Sequence, residues 1–179
     1  PVHAGPRVRA QSHAALGPAF EDDLLLRTDG AYRFPHDRVQ EAAYALIPES
    51  ERAAVHLGIG RRLLERTPPA RLEDEIFDIV NHLDRGSALV TSGAERERIA
   101  ELNLTAGRRA QRSTAYASAL KYLIAGAELV AEDCWEEHYD LAFALELNRA
   151  ECEFLIGDLA AAEPRLSALR RAIDRRELP

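Results

Sequence analysis

Methionine is absent from the 179 residues, tryptophan occurs once, and aromatic side chains make up only 6% of the chain. Rings are too few to build a cage for a cationic ligand, so Trp135 and Tyr139 read as a small aromatic contact. Cysteine is almost as scarce. Cys134 and Cys152 lie far apart, belong to no CxxC pair and read as two buried thiols in a reducing compartment, which argues against a disulfide framework or a cysteine zinc site. No apolar run approaches the ~20 residues that span a bilayer. The opening PVHAGPRVRA also lacks the apolar centre of a signal peptide, so a cytoplasmic chain with no membrane partner is expected. Basic charge is in deficit: 23 Lys and Arg against 30 Asp and Glu give a formal charge of −7, which repels a phosphate backbone and argues against nucleic acid as a partner.

Motifs of self-contained chemistry are missing too. There is no GxxxxGK[ST] phosphate loop, no GxGxxG after a strand and no GxSxG elbow. The six histidines, His3, His13, His36, His56, His82 and His138, show neither HExxH nor Glu-x-x-His spacing. No catalytic residue, metal ligand or cofactor is therefore expected within this chain. The absence of methionine, with Pro1 in first place, suggests an excerpt of something longer.

What remains is a chain with 46% hydrophobic side chains, enough for a real core. Residues 1–11 carry no apolar period and read as a linker. A short helix fits 12–20, interrupted by Gly17-Pro18. Asp29-Gly30 is a two-residue turn signal between LLLR and AYRF, which predicts a β-hairpin over 23–34. Val39, Ala43, Leu46 and Ile47 then form one helical stripe, giving a helix over 37–47 that Pro48 ends. From 49 to 179 the pattern is helical throughout. Ser50 is a plausible N-cap for a helix reaching Arg66, and a second helix covers 70–84 before Gly86. Further helices are expected near 94–112, 114–131, 136–156 and 159–175, joined by turns short enough to make neighbours antiparallel. Small residues recur at Gly107, Ala119 and Gly126, with Tyr116 and Leu123 as larger fillers. The same register on Ala150 gives Ala162 and then Leu169, 43 residues further on than the first. That is tetratricopeptide (TPR) spacing in degenerate form, with longer helices or turns than the 34-residue repeat.

Among the polar groups, Glu136, Glu137, His138 and Asp140 read as a helix start whose acids suit the macrodipole rather than as a metal site. His56 and His82 sit among apolar neighbours as hydrogen-bonded packing residues. Arg108-Arg109, Arg170-Arg171 and Arg175-Arg176 read as solvated faces with acidic partners. His36-Asp37 stands apart, at the point where strand gives way to helix. Asp37 can cap that helix by accepting a backbone N–H, while the imidazole of His36 can donate to a phosphate oxygen of a nucleotide held by a neighbouring domain.

FPHDRVQEAAYALIPE, IVNHLDRG and AELNLTAGRRA lie within a stretch, roughly residues 12 to 170, that closely resembles large multidomain bacterial signalling proteins. Those proteins combine a serine/threonine kinase domain, an AAA-type ATPase of the STAND class, a TPR-like helical region and often GAF and sensor histidine kinase domains. The resemblance implies a mostly α fold. Residues 12–48 would be the end of a winged-helix lid with one β-hairpin, and 49–179 a TPR-like stack of antiparallel hairpins, an α-solenoid. It also implies an upstream ATPase using ATP/ADP and Mg, and intramolecular ATPase and kinase domains as partners. STAND lids carry an apolar-His-Asp signature whose histidine contacts the phosphates of ADP. Phe34-Pro35-His36-Asp37 is similar to it, with Pro35 in the aliphatic place, so the resemblance assigns His36 as phosphate sensor and Asp37 as its helix-capping companion. Within this chain the expected role is regulatory and non-catalytic. Two alternatives differ in class. One is a segment of a STAND-type transcriptional regulator ending in a DNA-binding domain, and the other a catalytic domain in its own right.

Overall fold

Helices form where apolar residues recur with the helical period, and their ends fall where prolines, left-handed residues and side-chain caps interrupt that period. The computed structural model describes residues 26–28, 31–130 and 138–177. The linker over 1–11, the helix expected at 12–20 and the Asp29-Gly30 turn lie outside these residues. The protein is mostly α, with seven α-helices and one two-stranded ladder among the described residues. The chain divides between Glu49 and Ser50 into two units.

In the first unit, β1 (Leu26–Thr28) pairs antiparallel with β2 (Ala31–Arg33), setting Leu26 opposite Arg33 and Thr28 opposite Ala31. Helix α1 (Asp37–Ala45) follows and ends two residues short of the expected 47. There the N–H groups of Leu46 and Ile47 turn back to the carbonyls of Ala43 and Tyr44, a tightening of the last turn that precedes Pro48.

The second unit is helical throughout its described residues. Helix α2 (Glu49–Arg66) starts one residue before Ser50, so Ser50 is already helical and is not the cap its sequence position suggested. A 3₁₀ turn at Pro69–Arg71 occupies the place given to the start of the next helix, and α3 spans Leu72–Arg85. Helix α4 (Gly93–Arg112) begins with Ser92 Oγ accepting from the Glu95 N–H at 3.4 Å. Helix α5 (Tyr116–Leu129) is shorter than the expected 114–131. Thr114 adopts a left-handed φ of 56°, and the N–H of Ala115 closes on the carbonyl of Ala110 at 3.0 Å. This is a helix stop that no glycine announces. Helix α6 (Tyr139–Leu155) is joined to α7 (Leu159–Glu177) by Gly157 at φ 85°. The N–H of Asp158 closes on Glu153 O, and Asp158 Oδ1 accepts from the Ala161 N–H.

Neighbouring helices approach closely because a small residue on one admits a leucine from the other. Atoms of Leu83 would lie 2.7 Å from a Cβ built on Gly60, those of Leu123 2.7 Å from one on Gly107, and those of Leu145 2.8 Å from one on Gly126. These notches join α2 to α3, α4 to α5 and α5 to α6. Contacts also reach the helix after next. Arg61 of α2 donates twice to Glu95 of α4 at 2.6 and 2.8 Å. Phe77 of α3 stacks on Tyr122 of α5 at 5.4 Å, and Gln111 of α4 reaches Glu151 of α6 at 3.3 Å. Ile76, Ile79, Leu83, Ile99, Leu102, Leu123 and Leu145 are buried between these layers. Each such side chain contributes on the order of 1.5–3 kcal/mol.

Gly86 follows α3 with φ −112°, so a left-handed conformation is not what requires glycine there. A Cβ at Gly86 would stand 2.6 Å from the carbonyl oxygen of Ala53 and 3.0 Å from Leu57 Cα, both backbone atoms of α2. Gly58, inside α2, has nothing within 4 Å of its missing Cβ. Gly86→Ala is therefore expected to destabilise the protein by about 1–3 kcal/mol. Gly58→Ala should stabilise it by about 0.5–1 kcal/mol. Urea unfolding of the two variants beside the parent checks the opposite signs.

Candidate functional site

The junction between β2 and α1 is built by an extended residue meeting a helix. His36 has φ −131° and ψ 133° and occupies the N-cap position, with its carbonyl accepting from the N–H groups of Val39 (3.0 Å) and Gln40 (3.3 Å). No side-chain cap bond forms, and Asp37 is the first helical residue. The capping role expected of Asp37 is thus not made: from inside the first turn its carboxylate adds negative charge near the helix start without accepting the orphan N–H. Both side chains are exposed. An exposed imidazole at the amino end of a helix has the donor chemistry a phosphate oxygen needs, and the Asp37 carboxylate beside it offsets part of the positive helix end.

His56 and His82, 26 residues apart in sequence, face each other across α2 and α3 with Nδ1 atoms 2.9 Å apart. Arg85 Nη1 approaches His56 Nε2 at 3.4 Å. A guanidinium only donates, so His56 Nε2 accepts and its proton sits on Nδ1, donating to His82 Nδ1. Burial, then Arg85, hold both imidazoles below their usual pKa. His82 lowers that of His56 further, and Asp78 partly opposes the shift of His82. The sequence placed both residues in helix packing and gave no sign that they meet.

Close by, Asp84 accepts from Asn103 Nδ2 at 2.7 Å, linking α3 to α4. Asn103 is fully buried and also donates to Ile99 O, while its own Oδ1 finds no partner among the described residues. Burial pushes the Asp84 carboxyl up to about 6, with the Asn103 hydrogen bond acting in the other direction. A second polar cluster joins α6 to α7. Arg165 donates to both carboxylate oxygens of Glu153 at 2.8 and 2.9 Å and also bonds Glu146. Arg149 lies 3.3 Å from Glu153 and 3.6 Å from Glu146. Glu153 is buried, so this closed set of two arginines and two glutamates keeps a charge satisfied out of water.

The other candidate residues resolve as follows. His138 Nδ1 lies 2.8 Å from Glu97 of α4. Glu136 and Glu137 lie outside the described residues, and no group of three or more metal-binding side chains occurs within them. Tyr139 stacks on Phe143 at 5.6 Å, and Trp135 lies outside. Cys152 is buried, and desolvation pushes its thiol up to about 11, leaving it inert. Cys134 also lies outside. Arg109 has the acidic partner expected of it, Asp74 at 3.9 Å, and its half-buried guanidinium also lies 5.1 Å above the Phe77 ring. Arg108 and Arg112 do line an open cleft of about 420 Å³ with Gln111, Tyr116, Glu151 and Leu155. No helix among the described residues is long and apolar enough to cross a membrane.

No family model matches the chain, and no solved structure matches it. The chain is similar to hybrid signal transduction histidine kinase G of Dictyostelium discoideum, at 31% identity over 166 residues. The match covers 79% of this chain and 5% of that protein. The chain therefore spans a small fraction of the length of the relative it matches.

Two outcomes test these clusters. A carboxyl raised to about 6 from 3.8 favours the folded state fully only below pH 3.8, and that contribution is lost as pH rises through 6. Asp84→Asn should thus unfold at higher urea than the parent at pH 7.5, by up to ~3 kcal/mol, with the advantage shrinking toward pH 4. Arg165→Ala leaves the Glu153 carboxylate buried with Arg149 alone, and should cost about 3 kcal/mol in the same assay.

Proposed function

We propose that this chain is a regulatory and protein-interaction segment of a multidomain signalling protein, without catalytic chemistry of its own. The observation that carries this reading is the similarity to a hybrid signal transduction histidine kinase, of which the matched region is a small part. A segment of that kind transmits and docks, while its kinase chemistry lies elsewhere in the polypeptide. The second unit supports the reading as a TPR-like stack. Gly107, Ala119 and Gly126 are closely packed, and successive helices touch their neighbour and the helix beyond it. Stacks of this construction offer extended surfaces to partner chains.

The first unit takes the more specific part of the proposal. Residues 12–48 finish a winged-helix lid over an upstream STAND-type ATPase, and His36 senses the phosphates of its bound ADP. Supporting this is the exposed imidazole at the head of α1, held by a backbone that already satisfies the Val39 and Gln40 N–H groups and so leaves the ring uncommitted to capping. Exchange of ADP for ATP would then alter how lid and stack are held, and bias the output of attached serine/threonine or histidine kinase domains. The intramolecular partners of the chain on this reading are the ATPase and kinase domains, in the cytoplasm.

In the longer protein, His36→Ala should speed ADP release by about tenfold or more, the loss of one hydrogen bond to a charged group, and should raise basal kinase output. Stopped-flow displacement of a fluorescent ADP analogue measures this. An unchanged off-rate removes the sensor role and leaves the docking role standing.

A further inference from the structure

Helix α2 buries three of its 18 residues, His56, Leu57 and Gly60, and the polar one among them faces a second imidazole. The far half of the helix is tied by Arg61 to Glu95 of α4 and, just past its end, by Thr67 Oγ1 donating to Glu75 at 2.7 Å. The near half follows directly on the first unit in sequence. It is seated on α3 where Ala53 and Leu57 approach Gly86, and where His56 meets His82. The two ring centroids are 5.0 Å apart and the two Nδ1 atoms 2.9 Å, so these nitrogens point at each other with room for one hydrogen between them. In the neutral pair His56 donates from Nδ1, and His82 carries its own proton on Nε2. A third proton can enter only where a donor already stands. On His82 Nδ1 it faces the His56 N–H. If the bond reverses so that His82 donates, the His56 proton moves to Nε2 and faces the Arg85 guanidinium, now 3.4 Å away. A fourth proton sets two N–H groups of like charge against each other across the helix contact.

We infer that the imidazole pair is an acid-operated latch: protonation parts His56 from Arg85 and then from His82, freeing the near half of α2 from α3 while the far half stays seated. The charges around the pair favour this order of events. Arg85 of α3 repels a proton on either ring, and Arg52 stands one turn before His56 on α2. Asp78 of α3 opposes them in part at His82 alone. Asp84, also on α3, is engaged by Asn103 of α4 instead. Burial and Arg85 hold both imidazoles below their ordinary value of 6.5. The closed contact is therefore whole above that pH and is lost as pH falls beneath it, because the opened rings bind protons more readily than the closed ones. The inference is independent of the nucleotide reading, so an unchanged ADP off-rate in the His36 variant leaves it untouched.

Hydrogen exchange of the full chain, followed by mass spectrometry at pH 7.5 and pH 5 and corrected for intrinsic rates, reads the latch directly. Amides of the near half of α2 should open about tenfold more often at pH 5, measured against those of α5, since one unit of pKa between closed and open states is a tenfold change in the equilibrium. His82→Asn places an amide oxygen that accepts from His56 Nδ1 in either charge state of that ring, and should abolish most of the difference. Asp84→Asn should keep it in full. Should His82→Asn loosen α2 at both pH values, long-range nitrogen–proton NMR spectra of the parent decide: His56 is expected as the Nδ1–H tautomer and His82 as Nε2–H at pH 7.5, both titrating below 6.5. Equal protection of α2 at the two pH values overturns the inference, as does a response that survives intact in His82→Asn, one that disappears in Asp84→Asn, or histidines that titrate at or above the ordinary value.

Discussion

The second unit depends on the admission of a leucine from one helix into a gap left by a missing or minimal side chain on its neighbour. Gly60 receives Leu83, Gly107 receives Leu123 and Gly126 receives Leu145. Dispersion forces weaken steeply with distance, so these few notches decide how near the helix axes come and how many surrounding contacts are made. Arg61 with Glu95, Phe77 with Tyr122 and Gln111 with Glu151 then reach the helix after next only because the intervening helix lies close.

Polar groups are placed inside this packing with little slack. The histidine pair, Asp84 with Asn103, and the Arg149, Arg165, Glu146 and Glu153 set each bridge two helices through at least one hydrogen bond between residues 12 to 26 apart in sequence. IVNHLDRG contains His82, Leu83, Asp84, Arg85 and Gly86, while AELNLTAGRRA contains Asn103 and Gly107. The stretches that carry the family resemblance are in large part the stretches that hold α2, α3 and α4 together. A likeness concentrated there speaks about the stack as much as about any ligand, which is why His36 needs its own test.

The helices were legible in the sequence because apolar periodicity depends on residues three and four apart. Their ends were less so. Thr114 ends α4 in a left-handed conformation that a β-branched residue does not advertise, and Pro48 moves the start of α2 ahead of Ser50. Small residues at Gly107, Ala119 and Gly126 could be picked out by spacing, yet the role of Gly86 depends on the backbone of Ala53 and Leu57, which no local pattern shows. The His36-Asp37 junction could be located, but which of the two would occupy the cap position could not, since both can stand before a helix. Pairings across 26 residues, as between His56 and His82, have no local signature at all. The stacking of Arg109 over Phe77 is hidden for the same reason, since the ring it covers belongs to another helix.

The two titrating clusters between the early helices pull in opposite directions. Acidification protonates imidazoles whose folded environment disfavours the charge, which draws the chain toward the unfolded state below the ordinary histidine range near 6.5. Over the adjoining interval, from about 6 downward, the same acidification neutralises Asp84 and pulls the other way. Proton uptake by the histidines on unfolding is thereby opposed in sign by proton release from the aspartate, so the two clusters tilt the pH dependence of the α2–α4 region in contrary directions.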